Sequence, residues 1–562
     1  MNKKLLMFLI LGVAIIYFRG QSIAEPKFGV VYHTSSPTGA VKSEGLFIPG
    51  KPSETVRLTP EQRRRLSGPG EFFIYGPASP ISRDQILKLR ETRLQQMSFP
   101  ENQRFEPQSD SLIEPNNIIG TKQKTVNDRV SWDENRNTTF TTQSETSSAV
   151  YGQHVVAGWN DLESTWFSNS TSNWGVSHNG GNTFTAKVGL PIVAAGPGIL
   201  ATGGDPAVAV DPVTGNFYYA TLSLYNDGVT TFSAISVYLS NNFGDTFNPM
   251  FTLFIGDTND FFDKEFIAVD PSNGKVYVTL TWFNDVSPFF NIISWNVTDV
   301  IVQTIASNDT GLQGSIPGVG LDHALYIAYE SWDAAGAPYL KIRKSTDSGS
   351  TFNPEINVYG PFIGSADPDP SAFCGRDAIK GNIRSQEFPS LAVDTRSSGA
   401  GAGNVYIAFN ARDAGGFLNV YLTRSTDGGT TWSAPIRANP RAAGDESDKF
   451  FPWVAVNGKG KVGLIYYERK KTPGVAGLSK NNWWISAKVR RFSPALVLID
   501  SAKVSPEFPV VVNNDFTSIC YMAEYNSISA NRKGAGDDNF FAFWGDNRYG
   551  DPDIQFSKVV PN

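Results

Sequence analysis

Residues Ser425–Trp432 read STDGGTTW, and three near-copies stand elsewhere: STDSGSTF at Ser345–Phe352, SNNFGDTF at Ser240–Phe247 and SHNGGNTF at Ser177–Phe184. Each is a polar, glycine-containing corner closed by an aromatic residue. Ser and Asp or Asn side chains can accept hydrogen bonds from the backbone N–H groups of a tight turn, and the following Gly supports positive φ. The closing aromatic is suited to pack beneath the corner as a plug. Four corners of one design imply a repeated unit, so the segments around them decide the fold.

Seven β-branched and aromatic segments share one ending, an aromatic followed by Asn/Asp or Arg. They are HVVAGWND to Asp161, FYYATLSLYND to Asp227, VYVTLTWFND to Asp285, LYIAYESWD to Asp333, VYIAFNARD to Asp413, VGLIYYER to Arg469 and FFAFWGDNR to Arg548. Ahead of most stands a second apolar strand ending in an acid or Asn, such as AVAVD to Asp211, FIAVD to Asp270 or WVAVN to Asn457. Turns such as PVTGN and PSNGK join the two as tight hairpins. A third strand follows, such as NVYLTRS, and in four units it runs into the quoted corner. Each unit is a meander with two apolar faces that it cannot bury alone. Packing such units radially leaves only short edges. The expected fold is all-β, a β-propeller of four-stranded antiparallel blades, with seven blades favoured and six as the alternative. The last unit shows only three strands, and KTVNDRVSW (Lys124–Trp132) could supply the fourth and close the circle.

The pattern S-x-D-x-G-x-T-[WF] resembles the Asp-box (BNR) repeat of the sialidase-like propeller superfamily. Ser345–Phe352 and Ser425–Trp432 match it fully, whereas Asn179 and Asn242 replace the Asp. The resemblance covers about residues 125–562 and implies that the box is a stabilising turn. It also implies an arginine triad, a Tyr–Glu pair and an Asp acid, as in exo-sialidases. Tyr466 or Tyr467 beside Glu468 is the candidate pair, Asp205 a candidate acid, and Arg412, Arg469 and Arg548 the candidate arginines. The chain departs from that family in lacking a Phe/Tyr-Arg-Ile-Pro motif, and its first repeat, Glu145–Asp161, holds no arginine. The three arginines also fall in consecutive units, and seven repeats exceed the six blades of active sialidases.

Successive strands run in opposite directions, so the Asp-boxes are expected on the face opposite the WND…YER…DNR ends. The latter face also receives the acids that enter the inner strands: Glu145, Asp205, Asp263, Glu265, Glu387, Asp448 and Glu524. A mouth lined by carboxylates, by the three arginines and by Trp159, Asp161, Trp282, Trp332 and Trp544 suits a sugar, above all an acidic one. Arg binds a carboxylate through two parallel hydrogen bonds. The bland alternative is that these aromatics pack blade against blade. The loop SADPDPSAFCGRD (Ser365–Asp377) offers Asp367, Asp369 and Asp377 as oxygen ligands for a structural Ca²⁺, or is a proline-stiffened connector. No other cofactor is expected.

The N-terminus reads as a signal peptide, residues 1–24: Lys3 and Lys4, the apolar run Leu5–Phe18, and small residues Ser22 and Ala24 before a cut at Glu25. The mature chain would be secreted, periplasmic or on the cell surface, with membrane attachment only if the segment stays uncleaved. Cleavage removes three cations and no acid, taking the net charge from −6 to −9. That acidity argues against a nucleic-acid partner. Cys374 and Cys520 are the two cysteines, either paired or free. Residues 25–124 form a separate extension with two candidate helices, TPEQRRRLSG capped by Thr59 and SRDQILKLRETRLQQM capped by Ser82. The triple arginine at 63–65 is a solvated face or a binding patch. Two functions follow: an exported sialidase-like propeller that recognises and hydrolyses glycans at the channel mouth, or a non-catalytic propeller that scaffolds a glycan or protein partner.

Overall fold

The computed structural model describes residues 6–10, 13–17, 28–33, 56–76, 124–129 and 142–560, apart from 193–196, 285–289, 306, 308, 369–375, 382, 472–482, 510–519, 534–535 and 548–551. Seven antiparallel sheets, each a four-stranded meander at its core, follow one another along the chain. Blades 1 to 7 are named in order by their innermost strands: Gln143–Tyr151, Gly198–Val210, Phe261–Val269, Gly311–Val319, Ser390–Val393, Asp448–Val456 and Ser527–Ser529. All seven of these strands line one cavity of about 190 Å³, so the sheets encircle a shared axis. Lys124–Arg129 pairs antiparallel with Asp553–Val560 and is the outer strand of blade 7. The ring is a closed seven-bladed propeller, and the six-bladed alternative falls.

The second strand of a blade shows why the sequence carries unbroken apolar runs there. Val276–Phe283 and Leu325–Trp332 are buried along their whole length. Such a strand has a blade on either side and no wet face, so the alternation of a surface strand is absent. Neighbouring side chains instead serve different interfaces. Tyr466 packs with Tyr406 and Val420 of blade 5, whereas Tyr467 packs with Ile528 and Trp544 of blade 7.

The quoted corners join third to fourth strands, as expected. Ser425 Oγ donates to Asp427 Oδ1 at 2.7 Å and accepts from Gly429 N at 2.8 Å. Asp427 also accepts from Thr431 N at 2.9 Å and Thr431 Oγ1 at 2.6 Å. Gly429 has φ +86°, and the half-buried Trp432 donates its indole N–H to the Gly429 carbonyl at 3.1 Å. In the Asn copies the amide keeps the turn: Asn242 accepts from Thr246 N at 3.1 Å and donates to Thr246 Oγ1 at 2.8 Å. Each corner also leans on the blade before it. Gly244 of blade 2 lies against Val156 of blade 1, and its carbonyl accepts from Trp174 at 2.8 Å. Gly429 of blade 5 lies against Tyr326 of blade 4, and Gly181 of blade 1 against Phe556 of blade 7.

The N-terminal residues join the propeller at two places. Leu6–Ile10 and Val13–Tyr17 pair as a hairpin, which continues through Phe28–His33 onto Asn248–Ile255 of blade 2. Thr59 caps the helix Pro60–Arg65 with the reciprocal Thr59–Gln62 bonds of a capping box, and a second helix, Gly68–Tyr75, follows at once. The helix expected to start at Ser82 lies outside the described residues. Among the described residues, no helix is long and apolar enough to cross a membrane.

Candidate functional site

The face opposite the four Ser-x-Asp/Asn corners gathers the charged groups, and a repeated backbone feature sets them. Glu145, Asp205, Lys264, Gly314 and Phe451 have φ between +50° and +62°, each at a register shift between the first and second strands of its blade. Five of the seven innermost strands therefore carry a bulge at one level. A left-handed non-glycine residue is costly and re-aims its side chain. At this level Lys264 is fully buried, 3.5 Å from both Glu145 and Asp205 and in direct contact with Glu524. Glu524 in turn pairs with Arg384 at 2.6 Å. In blade 4 the bulge residue is Gly314, whose missing side chain leaves room for the Phe388 ring.

Burial governs the protonation of this cluster. It pushes Glu145 well above the usual carboxylate range, with Lys264 acting in the opposite sense. Asp263 rises to about 8, through burial and then the Asp205 charge. Glu265 rises for the same two reasons, and Glu330 through burial and the facing Glu387 carboxyl. Burial alone would lower Lys264, but Asp205, Glu145 and Glu524 around it raise its pKa and hold it charged.

A stopper lies over this layer, made from the two N-terminal helices. Ser67, between them, donates its N–H to Asp263 Oδ2 at 2.7 Å and its hydroxyl to Oδ1 at 2.6 Å. Gly68 packs on Tyr521 and Gly70 on Asp263, with no room for a Cβ at either. The Leu66 carbonyl accepts from Arg376 at 3.0 Å and from Arg384. Arg376 also pairs with Glu71, and burial brings its pKa down to about 10. Gln62 donates to the Asn284 carbonyl at 2.8 Å, and Gln313 to the carbonyl of Arg65. Leu66, Phe73 and Ile74 form one apolar cluster with Ala201, Leu224, Phe261, Phe283 and Trp332 of blades 2 to 4. Residues 56–76 thus cap the mouth.

Several sequence expectations need correction here. Only part of the triple arginine is a solvated face: Arg63 and Arg64 stay exposed, Arg63 over Tyr75 at 4.1 Å, whereas Arg65 stacks on Trp332 at 4.2 Å and pairs with Asp377 at 3.5 Å. Tyr466 and Tyr467 are core residues on opposite faces of one blade. The Tyr467 hydroxyl donates to the Gly545 carbonyl at 2.6 Å, and burial raises both phenols. Glu468 pairs with Lys488 at 3.2 Å, so neither Tyr–Glu pairing forms a site. Arg412 and Arg469 do converge on one carboxylate, but it is the protein's own Asp448, 3.8 Å from Arg412 and in contact with Arg469. Arg412 also donates to the carbonyls of Ser365, Ala366 and Gly416, and Arg469 stacks on Trp483 at 3.9 Å. Arg548 lies outside the described residues.

Trp159 and Trp544 sit in blade-to-blade cores, Trp282 donates to Asp260 at 3.0 Å, and Trp332 is covered by Arg65, so none is an open sugar platform. Asp161 caps the helix Leu162–Ser168. Asp367 faces Arg412 at 3.2 Å and Asp377 faces Arg64 and Arg65, so these two acids serve guanidinium groups instead of converging on a cation. Asp369 lies outside the described residues. Among the described residues, no group of three or more His, Cys, Asp or Glu is placed to hold a metal ion. Asp205 is the one proposed catalytic residue within the central cluster. Cys520 is disulfide-bonded, and Cys374 is the chain's other cysteine.

No family model and no curated protein matches the chain. Among solved structures, a Hadza microbial sialidase matches at 15% identity over 58% of this chain and 63% of its own, with a TM-score of 0.36. An α-L-arabinofuranosidase of Fusarium graminearum matches at 11% identity over 76% of this chain and 96% of its own, TM-score 0.36. A Trypanosoma rangeli sialidase matches at 12% identity and a TM-score of 0.33, over 74% of this chain and 55% of its own. The chain therefore spans less than two thirds of either sialidase.

Lys264 and the stopper are what the sequence reading missed. The run FFDKEF was the available signal, three consecutive charges inside an otherwise apolar strand. Among the described residues, the mouth offers a buried charged core covered by residues 56–76.

Proposed function

We propose that this chain is a non-catalytic propeller that works outside the cytoplasm as a binding scaffold for a glycan or protein partner. The observation that carries this reading is the stopper, which fills the mouth where a sialidase-like propeller would admit a sugar. Arg412, Arg469, Tyr466 and Tyr467, which could have served sugar hydrolysis, are spent on the protein's own carbonyls, on Asp448 and on interblade packing. An extracytoplasmic setting is supported by the apolar N-terminal run and by the disulfide at Cys520. The test assays the purified chain on fluorogenic sialosides and arabinofuranosides beside a glycan array and pull-downs. Binding without turnover is expected. Turnover that vanishes in Asp205→Asn would overturn the reading.

A second reading, a latent glycoside hydrolase, is favoured by one specific observation. Carboxyl groups kept protonated beside ionised ones are what general-acid catalysis uses, and Glu145, Asp263, Glu265 and Glu330 are all raised. Cutting the chain at a protease site placed within residues 77–123, then displacing the stopper, should on this reading switch on hydrolysis. Continued inactivity of the opened propeller would exclude it.

A further inference from the structure

The other end of the central channel, on the Asp-box face, is not capped by the N-terminal helices. We infer that this end binds a small organic carboxylate, its head on Arg532 and its body inside the channel. The inference concerns a different site and does not rest on the scaffold reading.

The channel here is a cavity of about 190 Å³ walled by small side chains, among them Ala209, Gly318, Ala455 and Ser529. That is room for about six waters at the liquid's ~30 Å³ each, hence for a ligand of roughly six to nine non-hydrogen atoms. Its inner end is stopped by Phe266, Trp453 and Tyr525, whose ring centroids lie 5.3–5.8 Å apart, an apolar floor for a flat or compact body. Each wall strand is the last of its sheet, so the edge it turns to the axis carries backbone N–H and C=O groups outside the ladder. A site with apolar surfaces and a few fixed polar groups is how small molecules are held.

Arg532 lines the opening and is solvent-accessible. Its guanidinium donates a long hydrogen bond, 3.4 Å to Thr395 Oγ1, and among the described residues it has no carboxylate within ion-pair distance, Asp394 acting on it only from farther away. The acids at that rim have closer partners than Arg532. Asp394 is held by Arg396 at 2.6 Å, Asp211 accepts from Val213 N and Thr214, and Asp270 accepts from Ser272 and His323. Lys533, beside Arg532, lies over the Tyr151 ring at 4.7 Å and adds positive charge. A guanidinium with no ion pair of its own, above a chamber of small side chains and strand-edge backbone groups, is matched by a carboxylate, which it binds through two parallel hydrogen bonds.

Calorimetric titration of the full-length chain with benzoate, benzamide and inorganic phosphate tests this. Benzoate should bind at one saturable site, and benzamide, which lacks the charge, at least tenfold more weakly. Arg532→Gln should weaken benzoate at least tenfold. Ala209→Leu, which fills the channel, should abolish binding while leaving the melting temperature within a few degrees of the parent. Absence of saturable benzoate binding, equal binding of benzamide, or binding untouched by both substitutions would overturn the proposal. So would phosphate binding where benzoate does not.

Discussion

Asp427 is exposed, yet its carboxylate collects bonds from the Thr431 hydroxyl and from the backbone of Thr430 and Thr431, which draw its pKa down to about 2. A carboxyl depressed on folding contributes stability above its ordinary value near 4 and loses it as the pH falls through 2. Asp427→Ala should therefore cost about 1 kcal/mol at pH 7, at the modest end expected of an exposed group. Thermal unfolding should show that deficit shrinking between pH 4 and pH 2. Asp427→Asn should keep most of the stability at pH 7, because Asn242 already holds the same corner through its amide. This turn was legible in the sequence because all its partners lie within eight residues. Lys264 was not. Strict alternation would point it away from Asp263 and Glu265, and only a bulge with φ +54° brings it to the axis.

Corners and blades act together as interlocking parts. A Cβ on Gly244 would sit 2.4 Å from Val156 of the neighbouring blade, at φ +95°. Gly244→Ala should cost about 1–3 kcal/mol, read by chemical denaturation, because it strains the backbone and overpacks an interblade seam at once. The helix Pro60–Arg65 was likewise legible through Thr59, Pro60 and Gln62. Its docking was not, since three arginines in a row read equally well as a wet face. The stopper has its own pH dependence. Asp263 is raised on folding to about 8, so its stabilisation is complete below pH 4 and is lost as the pH climbs to 8. Hydrogen exchange of residues 56–76 should accelerate from pH 5 to pH 8 after correction for intrinsic rates. Asp263→Asn, which keeps an acceptor for Ser67, should flatten that slope.

The ring count was readable from seven strand endings and four corners, including the remote strand that closes it. The fate of the mouth was not, because no local pattern announces that one part of a chain will cover another. The disulfide at Cys520 bears on that cover: Cys520 accepts from Arg384 N at 2.9 Å, and Arg384 holds the Leu66 carbonyl. Reduction should cost about 2–5 kcal/mol and expose residues 56–76 to limited proteolysis before the blades unfold. Protease resistance equal to that of the oxidised form would show that the bridge and the cover are independent.

Lys124–Arg129 has its mate at Asp553–Val560. On the ribosome, the first half of that seam waits for the second while all the blades between them are made, and no shorter nascent length can zip it. Until Asp553–Val560 emerges, the unpaired strand Lys124–Arg129 is free to recruit a stranger's strand. A translation product stopped before Asp553 should therefore be found with holding chaperones or in inclusion bodies.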